Sequence, residues 1–526
     1  MRVKALSAAI AVCVGAGVAA VPVSASASVS AHERPIRAVV VVRPGVALPL
    51  TVAGGRVITV MRNVGAEVVS APPSALQALA ADPRVAGMTP DRHGRVSGED
   101  GPGSHAGAGE LAAKLLGGDA GKAGTGAHVN VALLDTGLSD TAALSRASGR
   151  ITDGVDVSHL AAGGPALTSG QFEDGYGHGT FLASLIAGGK VPGSGGVGLG
   201  VAPAARIVVV KVADDQGNTS LSQVLAGLDW VASHAQAIDV VNLALAVDRP
   251  TAPAYGADPL TAAVEHVRAA GVVVVAAAGN KAGEVGDPGM DPQALTVGAA
   301  DLQRARPQVA PFSGSGVVAG VTKPDVVAPG VHMLGIIDPS SQIAVDHPEG
   351  WARHGLFKGS GTSEATAVTS GVVAAYLSRH PHATPLQVKA AVRADAVPMS
   401  DRRAGAGLVQ MTDSVVDPAT PASAGEGDFS PVTWSANAWN GLPGWQSQLE
   451  SMWSGPAWDA VTWSAVTWSA VSWSSSQWSA VSWSAVSWSA VSWSAVSWSA
   501  VSWSAVSWSA VSWSAVSWSD YGWGDA

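Results

Sequence analysis

Short, uninterrupted aliphatic runs recur through the middle of this chain and constrain its fold more than any other feature. Continuous apolar runs are typical of parallel strands that are buried on both faces, whereas strands with one wet face alternate. Segments with helical spacing lie between the runs, at 222–234 and 259–270. This alternation predicts an α/β domain with a doubly wound parallel sheet, because an all-helical fold would not favour so many Val residues. The runs are 129–134, 207–210, 240–243 and 272–276.

The chain begins with the pattern of a secretory signal peptide. Arg2 and Lys4 precede an apolar stretch, and the Ala-Ser-Ala at 25–27 offers a cleavage site. We therefore predict a signal peptide over residues 1–27, with a membrane anchor as the alternative. The single cysteine, Cys13, lies inside this segment, so disulfides are not expected in the mature protein. After cleavage no membrane partner is expected, because no other apolar run reaches the roughly 20 residues that span a bilayer.

The charge balance argues against two further kinds of partner. The formal net charge is -10, charged residues make up 13% of the chain, and no Lys or Arg follows Arg403. A chain with this balance has no general attraction for polyanions. Neither nucleic acid nor an anionic membrane surface is therefore an expected partner.

A small α+β unit is predicted between the signal and the Val-rich region. An apolar run at 38–42 ends at a turn, and Ser74 is placed as an N-cap at the start of a helical segment. A Gly-rich stretch at 99–109 has the composition of an exposed, cleavable linker. We assign residues 28–105 to this unit and residues 106–416 to the α/β domain.

A pentapeptide repeat fills residues 433–526, after a Pro/Ala/Ser/Gly linker at 417–432. Trp recurs every five residues from Trp453 to Trp523, mostly within the uncharged unit Trp-Ser-Ala-Val-Ser. A period of five fits neither a helix face nor a strand face. A β-solenoid with one short straight side per repeat is one solution, and low-complexity disorder is the other. Exposed Trp rings stack on sugars, which makes a cell-wall polymer a candidate partner of this tail.

Three polar side chains stand at the boundaries of the predicted elements. Asp135 follows the first Val-rich run, at the end of a strand where α/β sheets build their sites. His178, flanked by glycines, and Ser363 each begin a helical segment. Taken singly, each has an ordinary explanation. The Asp-Thr-Gly at 135–137 also marks aspartic proteases, a lone His is commonly structural, and Ser is a common helix cap.

The combination of these residues points to acyl transfer. A Ser nucleophile needs a base to take its proton, and the base needs a carboxylate to orient it. The chain order Asp, His, Ser is one of the few recurrent orders of this constellation. Asn280 lies just beyond another Val-rich run, where its amide can donate to the oxyanion together with the backbone N–H of Ser363. We therefore predict Asp135, His178 and Ser363 as catalytic residues and Asn280 as an oxyanion-hole donor.

Four motifs resemble, in order, the sequence blocks of the subtilase family: Asp-Thr-Gly at 135–137, His-Gly-Thr at 178–180, Gly-Asn at 279–280 and Gly-Thr-Ser at 361–363. Further segments are similar to the family at 198–203, 323–330 and 405–409. The resemblance implies a subtilisin-like fold and a serine endopeptidase that hydrolyses proteins or peptides. Residues 36–96 resemble the family's inhibitory propeptide, which implies a precursor that is inhibited by its own propeptide.

The resemblance also suggests where the substrate binds. It implies substrate contacts for Ala244, Leu245, Ala246 and Gly279. Family members usually carry Gly where this chain has Ala246. The extra methyl group predicts a narrower pocket and a preference for small side chains, whereas Lys281 beside the pocket would favour an acidic residue.

One departure lies next to the candidate nucleophile. Family members usually carry Met there, and this chain carries Glu364. We expect the Glu364 side chain to face solvent; pointing inward, it would raise the pKa of His178.

No cofactor is required for the predicted chemistry. Calcium often stabilises members of this family, and Asp174, Asp214 and Asp215 are candidate ligands for it. None of the three has a diagnostic spacing, so calcium remains unassigned and no metal site is predicted.

These observations predict a secreted serine endopeptidase that is made as an autoprocessed precursor. The alternative is a surface or cell-wall-binding protein that acts through its Trp repeat and carries a self-processing or inactive protease domain. The complete set of a nucleophile, a base, a carboxylate and an oxyanion donor favours the first hypothesis.

Overall fold

The computed structural model describes residues 35–95, 106–107, 124–160, 164–191, 198–247, 258–303, 306–318, 320–411 and 413–415, with short strands between 458 and 522. The predicted signal peptide and the linker at 417–432 lie outside the described residues, as does most of the linker at 99–109. Before the repeat, the strands are β1 (Ile36–Val42), β2 (Arg56–Met61), β3 (Ala66–Ala71), β4 (Val85–Pro90), β5 (His93–Arg95), β6 (Ala106–Gly107), β7 (Asn130–Asp135), β8 (Ile151–Asp156), β9 (Arg206–Lys211), β10 (Asn218–Ser220), β11 (Val240–Leu243), β12 (Ala246–Val247), β13 (Val273–Ala277), β14 (Leu295–Asp301), β15 (Gln308–Val309), β16 (Gly316–Val318), β17 (Val321–Lys323), β18 (Val326–Pro329), β19 (Met333–Gly335) and β20 (Phe357–Gly359). The α-helices are α1 (Pro73–Ala80), α2 (His178–Ala187), α3 (Leu221–Ser233), α4 (Pro259–Ala269), α5 (Gln342–Asp346), α6 (Thr362–Leu377) and α7 (Pro385–Ala394).

A parallel sheet forms the centre of the α/β domain, as predicted. Its strand order is β8-β9-β7-β11-β13-β14-β18, and β15 pairs antiparallel with β14. All four Val-rich runs lie in this sheet, as β7, β9, β11 and β13. The chain leaves β7 towards β8 and β9 on one side and continues from β11 on the other. The carboxyl ends of β7 and β11 therefore meet at a topological switch point, where open α/β sheets bind ligands.

The sheet is buried on both faces, which explains its continuous apolar runs. In β7, Val131 and Leu133 belong to the core that contains residues of α2 and α6, whereas Ala132 and Leu134 belong to the core that contains residues of α3 and α4. Alternate strand positions thus face opposite helical layers. This confirms the doubly wound arrangement. Between Asn130 at its start and Asp135 at its end, β7 carries only buried apolar residues.

The N-terminal unit is an antiparallel sheet of order β2-β3-β1-β4 with α1 packed on it. Its secondary structure is that of a small α+β unit. One detail differs, because α1 begins at Pro73 and is preceded by Pro72, so Ser74 is not its N-cap. Pro is favoured in the first helical turn, where its missing N–H removes no hydrogen bond. The helix therefore begins earlier than the sequence prediction, which placed its N-cap at Ser74.

The N-terminal unit is in direct contact with the α/β domain. Its Val39, Met61 and Val68 share a core with helices α3 and α4. The backbone N–H of Asn63 donates to the Asp229 carboxylate at 2.7 Å. Asp91 accepts from the backbone N–H of Ser222 at 2.9 Å, at the start of α3. Apolar burial and capping together hold the two units against each other.

The repeat region contains short strands, most of which are three residues long with a Trp at the centre. Thr462–Ser464 pairs in parallel with Ser482–Ser484, and Thr467–Ser469 pairs with Ser487–Ser489. Each of these pairs joins strands that are four pentapeptides apart. The ordered solenoid stays a prediction.

No α-helix in the described part of the chain combines the length and apolarity that crossing a bilayer requires.

A buried ion cluster at Asp325 leads to a stability prediction. Asp325 is 1% exposed and lies 2.8 Å from the Lys323 ammonium and 3.0 Å from the Lys389 ammonium. Burial raises the pKa of Asp325, but the charges of Lys323 and Lys389 outweigh it and hold that pKa below its ordinary value. We expect Asp325→Asn to lower the free energy of unfolding by about 3–5 kcal/mol, because it leaves two buried ammonium groups without a carboxylate.

Urea denaturation in a Ser363→Ala background would measure this loss without self-digestion. Asp346→Asn is the matched control, since Asp346 is exposed on α5 and should change stability by less than about 0.5 kcal/mol. Equal unfolding midpoints for Asp325→Asn and the control would show that the cluster contributes no stability.

Candidate active site

Asp135 is held at the carboxyl end of β7 and is fully buried. Its Oδ1 accepts the backbone N–H of Thr136 at 2.8 Å and the Thr136 hydroxyl at 3.2 Å. The following Gly137 has φ +115° and packs too closely on the Phe172–Glu173 backbone to accommodate a side chain. This tight turn fixes the carboxylate in place at the end of the strand.

His178 is the first residue of α2 and points back at Asp135. Its Nδ1 lies 2.8 Å from Oδ1 and 3.0 Å from Oδ2 of that carboxylate. Burial lowers the pKa of His178, but the charge and hydrogen bond of Asp135, with the charges of Glu364 and Asp174, raise it above its ordinary value. The other ring nitrogen, Nε2, is buried and has no hydrogen-bond partner among the described residues. An imidazole in this state is oriented to accept a proton at Nε2.

Ser363 is the second residue of α6 and is 3% exposed. Its hydroxyl donates to the backbone carbonyl of Ala244 at 3.1 Å. Ala244 directly follows β11, so this bond joins the start of α6 to the switch point of the sheet. The backbone N–H of Ser363 lies in the first helical turn, where no intrahelical acceptor exists.

Asn280 lies beyond β13 and is fixed by the residue next to the candidate nucleophile. Its Oδ1 accepts the backbone N–H and the hydroxyl of Thr362, each at 2.9 Å. With Oδ1 used in this way, the amide Nδ2 is turned towards the Gly361 side, and a Cβ on Gly361 would lie 3.1 Å from it. The structure thus places the predicted amide donor beside the N-terminus of α6.

The sequence did not lead us to place Asp174 at the candidate active site. It is buried, and its carboxylate accepts the Thr136 hydroxyl, the backbone N–H of Gly177 and both the N–H and hydroxyl of Thr180, all at 2.7 Å. It therefore caps α2 and links that helix to the turn after β7. The sequence did contain a signal for this role, because an acidic residue shortly before a helical segment is a candidate cap, and Asp174 lies four residues before His178.

The expectation that Glu364 faces solvent is wrong. The residue is 2% exposed, and its carboxylate packs against the backbone of Gly359 and Gly361. Because every residue of α6 is buried, no face of this helix reaches water, and the first turn has no exposed position for the carboxylate. Its negative charge contributes to the raised pKa of His178, which is the effect expected for an inward orientation.

This burial predicts a change in the pH dependence of the reaction. Glu364→Gln removes a negative charge that favours protonated His178, so the pKa of His178 should fall. The acid limb of kcat/KM against pH should therefore move to lower pH, because the neutral base persists further into acid. Glu349→Gln is the matched control at an exposed site and should leave the profile unchanged. A pH profile for Glu364→Gln that overlies the wild-type curve would show that the charge of Glu364 does not raise the pKa of His178.

The predicted substrate-binding residues lie along one edge next to Ser363. Ala244 and Leu245 are buried, and β12 begins at Ala246. Gly279 has φ +90°, and its N–H donates to the Thr362 hydroxyl at 3.2 Å. The Cβ of Ala246 faces Gly286, where an added Cβ would lie only 3.3 Å away.

This edge is paired with a strand of the N-terminal unit. Strand β5 lies between β10 and β12 and is antiparallel to both. Arg95 is opposite Ala246, and Gly94 is opposite Val247. The N-terminal unit thus contributes an extended segment to the groove that adjoins the candidate nucleophile.

The three acidic residues considered for calcium have other roles. Asp174 caps α2, Asp215 is paired with Lys211 at 2.7 Å, and Asp214 accepts the backbone N–H of Asn218 at 2.8 Å in a turn. Within the described ranges, no group of three or more His, Cys, Asp or Glu side chains is arranged to hold a metal ion.

Comparison with known proteins relates the α/β domain to one family. The model of the Subtilase family matches residues 126–407. The serine protease AprX of Bacillus subtilis (strain 168) is 32% identical over 307 residues, which cover 55% of this chain and 67% of that protein. Subtilisin E of the same organism is 32% identical over 270 residues, 50% of this chain and 59% of its own length. Subtilisin Savinase of Lederbergia lenta is 33% identical over 287 residues, 54% of this chain and 90% of its own length.

A solved structure supports the same fold. Fervidolysin from Fervidobacterium pennivorans, described as a keratinolytic enzyme related to subtilisin, aligns with a TM-score of 0.56 at 22% identity. The alignment covers 73% of this chain and 61% of fervidolysin. The family match includes the turn after β7, the start of α2, the loop after β13 and the start of α6. The chain therefore belongs to the subtilase family of serine endopeptidases.

Proposed function

We propose that this chain is a secreted serine endopeptidase that uses Asp135, His178 and Ser363 as a catalytic triad. The observation that carries the proposal is the 2.8 Å contact between His178 Nδ1 and Asp135, which leaves the buried Nε2 without a partner. A structural histidine would be expected to use both ring nitrogens in hydrogen bonds. A general base keeps one nitrogen for the proton that it takes from the nucleophile.

The proposed reaction is acyl transfer to Ser363. The Ser363 hydroxyl turns from the Ala244 carbonyl to His178 and attacks the scissile carbonyl as its proton passes to Nε2. Asp135 holds the ring and stabilises the imidazolium. The amide of Asn280 and the backbone N–H of Ser363 donate to the oxyanion of the tetrahedral intermediate. His178 then returns the proton to the leaving amine, and water releases the acyl group by the same steps.

The N-terminal unit is proposed to be an inhibitory propeptide within residues 28–105. Strand β5 fills the space between β10 and β12, as an extended peptide substrate would. Burial of Val39, Met61 and Val68 against the α/β domain supports a unit that helps the domain to fold and then blocks it. Cleavage beyond β5 would convert this precursor into the active enzyme.

The pocket next to Ser363 is proposed to accept small side chains. Ala246 directs its methyl group towards Gly286 and narrows the space between the two backbones. The alternative preference for acidic residues has less support, because Lys281 is exposed and is paired with Glu284 at 2.8 Å. A peptide library would separate the two preferences, and efficient cleavage after large aromatic residues would contradict the narrow pocket.

Secretion and targeting complete the proposal. The predicted signal over 1–27 would export the chain, and the Trp repeat would attach it to a cell-wall polymer. The alternative, a binding protein with an inactive protease domain, has less support, because the chain carries all four candidate catalytic groups and His178 Nδ1 lies 2.8 Å from Asp135.

Casein hydrolysis by the purified, self-processed protein tests the proposed activity. A phosphonylating serine reagent should abolish hydrolysis and modify Ser363, which peptide mass spectrometry would identify. Hydrolysis that survives complete modification of Ser363 would contradict the proposed nucleophile.

A further inference from the structure

A buried ion pair joins the two units beside the groove. Arg92, in the residues just before β5, places Nη2 2.6 Å from Asp258 Oδ1 and Nη1 3.4 Å from Asp287 Oδ2. All three side chains are at most 3% exposed. Arg92 belongs to the N-terminal unit, whereas both carboxylates belong to the α/β domain. We call the pair Asp258 and Asp287 the acidic socket.

Both carboxylates are positioned by the α/β domain itself. Oδ2 of Asp258 accepts the backbone N–H groups of Leu260 and Thr261, each at 2.9 Å, and caps α4. Its other oxygen is thereby directed at the guanidinium. The Asp287 carbonyl accepts the backbone N–H of Val247 at 3.0 Å, which ties this residue to β12. The acidic socket is therefore built into the wall of the groove, next to the strand that a peptide would pair with.

The occupant of the acidic socket is held in a fixed register. The Arg92 carbonyl accepts the backbone N–H of Leu221 at 2.7 Å, and two residues later Gly94 lies opposite Val247. A Cβ on Gly94 would approach the Ala246 carbonyl to 2.9 Å and Thr219 Cγ2 to 3.0 Å, so only Gly fits there without movement. We consider a peptide that pairs with β12 in the same way. Its residue three positions before the one opposite Ala246 would place its side chain in the acidic socket.

We propose that the acidic socket is a subsite that recognises a basic side chain, preferably Arg, on the N-terminal side of the scissile bond of a peptide substrate. The proposal rests on the proposed peptidase function and on removal of the N-terminal unit. Once Arg92 has left, both carboxylates lose the guanidinium that they contact in the precursor. An incoming guanidinium restores charge-assisted hydrogen bonds that Arg is well suited to make, because it presents several donors in one plane.

Two quenched fluorescent peptides test this subsite on the self-processed full-length protein. Both copy residues 86–103 of this chain, and one carries citrulline, a neutral isostere, in place of the arginine at position 92. The wild type should cleave the Arg peptide with a kcat/KM about 10- to 100-fold higher, mainly through KM, since the subsite is remote from the reacting bond. In the double variant Asp258→Asn, Asp287→Asn the two peptides should differ by less than about twofold.

Matched controls separate the subsite from general effects. Glu284→Gln removes an exposed charge near the groove and should keep the full Arg preference. Asn at position 258 can still cap α4, because its side-chain oxygen accepts the same backbone N–H groups. If the double variant does not accumulate, each single variant should still show a reduced preference for the Arg peptide. Casein hydrolysis with equal cleavage of both peptides by the wild type would overturn the subsite while the peptidase function stands. Failure to hydrolyse casein and both peptides would instead overturn the proposed function.

Discussion

Ser363→Ala should abolish both self-processing and casein hydrolysis. The substitution removes the only atom that can attack the scissile carbonyl in the proposed reaction and leaves Asp135, His178 and Asn280 in place. We expect kcat/KM to fall by about 10⁶-fold, the scale known for removal of a triad nucleophile in a subtilisin. The precursor should accumulate at full length, which gel electrophoresis and intact-mass measurement would show directly.

Ser360→Ala is the matched control for this variant. Ser360 is a second buried serine three residues earlier, and its hydroxyl accepts the backbone N–H of His332 at 2.9 Å. Its loss should cost some stability while processing continues. Identical processing in wild type and Ser363→Ala would contradict autocatalysis, and casein hydrolysis by Ser363→Ala would contradict the role of Ser363.

Asp135→Asn should reduce kcat/KM by about 10⁴-fold while the fold is retained. Oδ1 of the amide would continue to accept the backbone N–H of Thr136, so the amide nitrogen would face His178 Nδ1. An amide donor there favours the tautomer in which Nδ1 accepts and Nε2 carries the proton. Such an imidazole cannot take the proton of Ser363, and the charge that stabilises the imidazolium is also lost. Steady-state kinetics with a fluorogenic peptide would measure the change.

Asp140→Asn is the matched control, because Asp140 is an exposed carboxylate on the segment after β7 that binds Arg146 at 2.9 Å. It should keep kcat/KM within about twofold of the wild type, since a surface ion pair contributes little. An Asp135→Asn enzyme with more than a tenth of wild-type activity would show that His178 does not depend on this carboxylate.

Local sequence patterns predicted much of the fold because both faces of the sheet are covered. The run 272–276 could be read as a strand since every side chain in β13 is buried, and β13 spans Val273–Ala277. Helix boundaries were less accurate, as Ser74 shows, because several residues near a helix start can satisfy its backbone N–H groups.

The candidate catalytic groups could also be predicted, and for a related reason. Asp135 ends the buried strand β7, Asn280 lies three residues beyond β13, and His178 and Ser363 stand at helix starts. The backbone therefore brings all four to one end of the sheet. Chain order and residue type then suggested the catalytic roles that we propose. The resemblance to the subtilase family rests on these same positions.

Contacts between distant segments decided the remainder. Glu364 is buried because the whole of α6 is enclosed, which a short motif does not reveal. Arg92 meets Asp258 and Asp287 only when the N-terminal unit lies against the groove, 166 and 195 residues away in sequence. The sequence by itself determined which chemistry the chain carries, because strand ends and helix starts are local features. Charge burial and the shape of the groove were decided only by the tertiary structure, because both depend on which remote surfaces exclude water from each side chain.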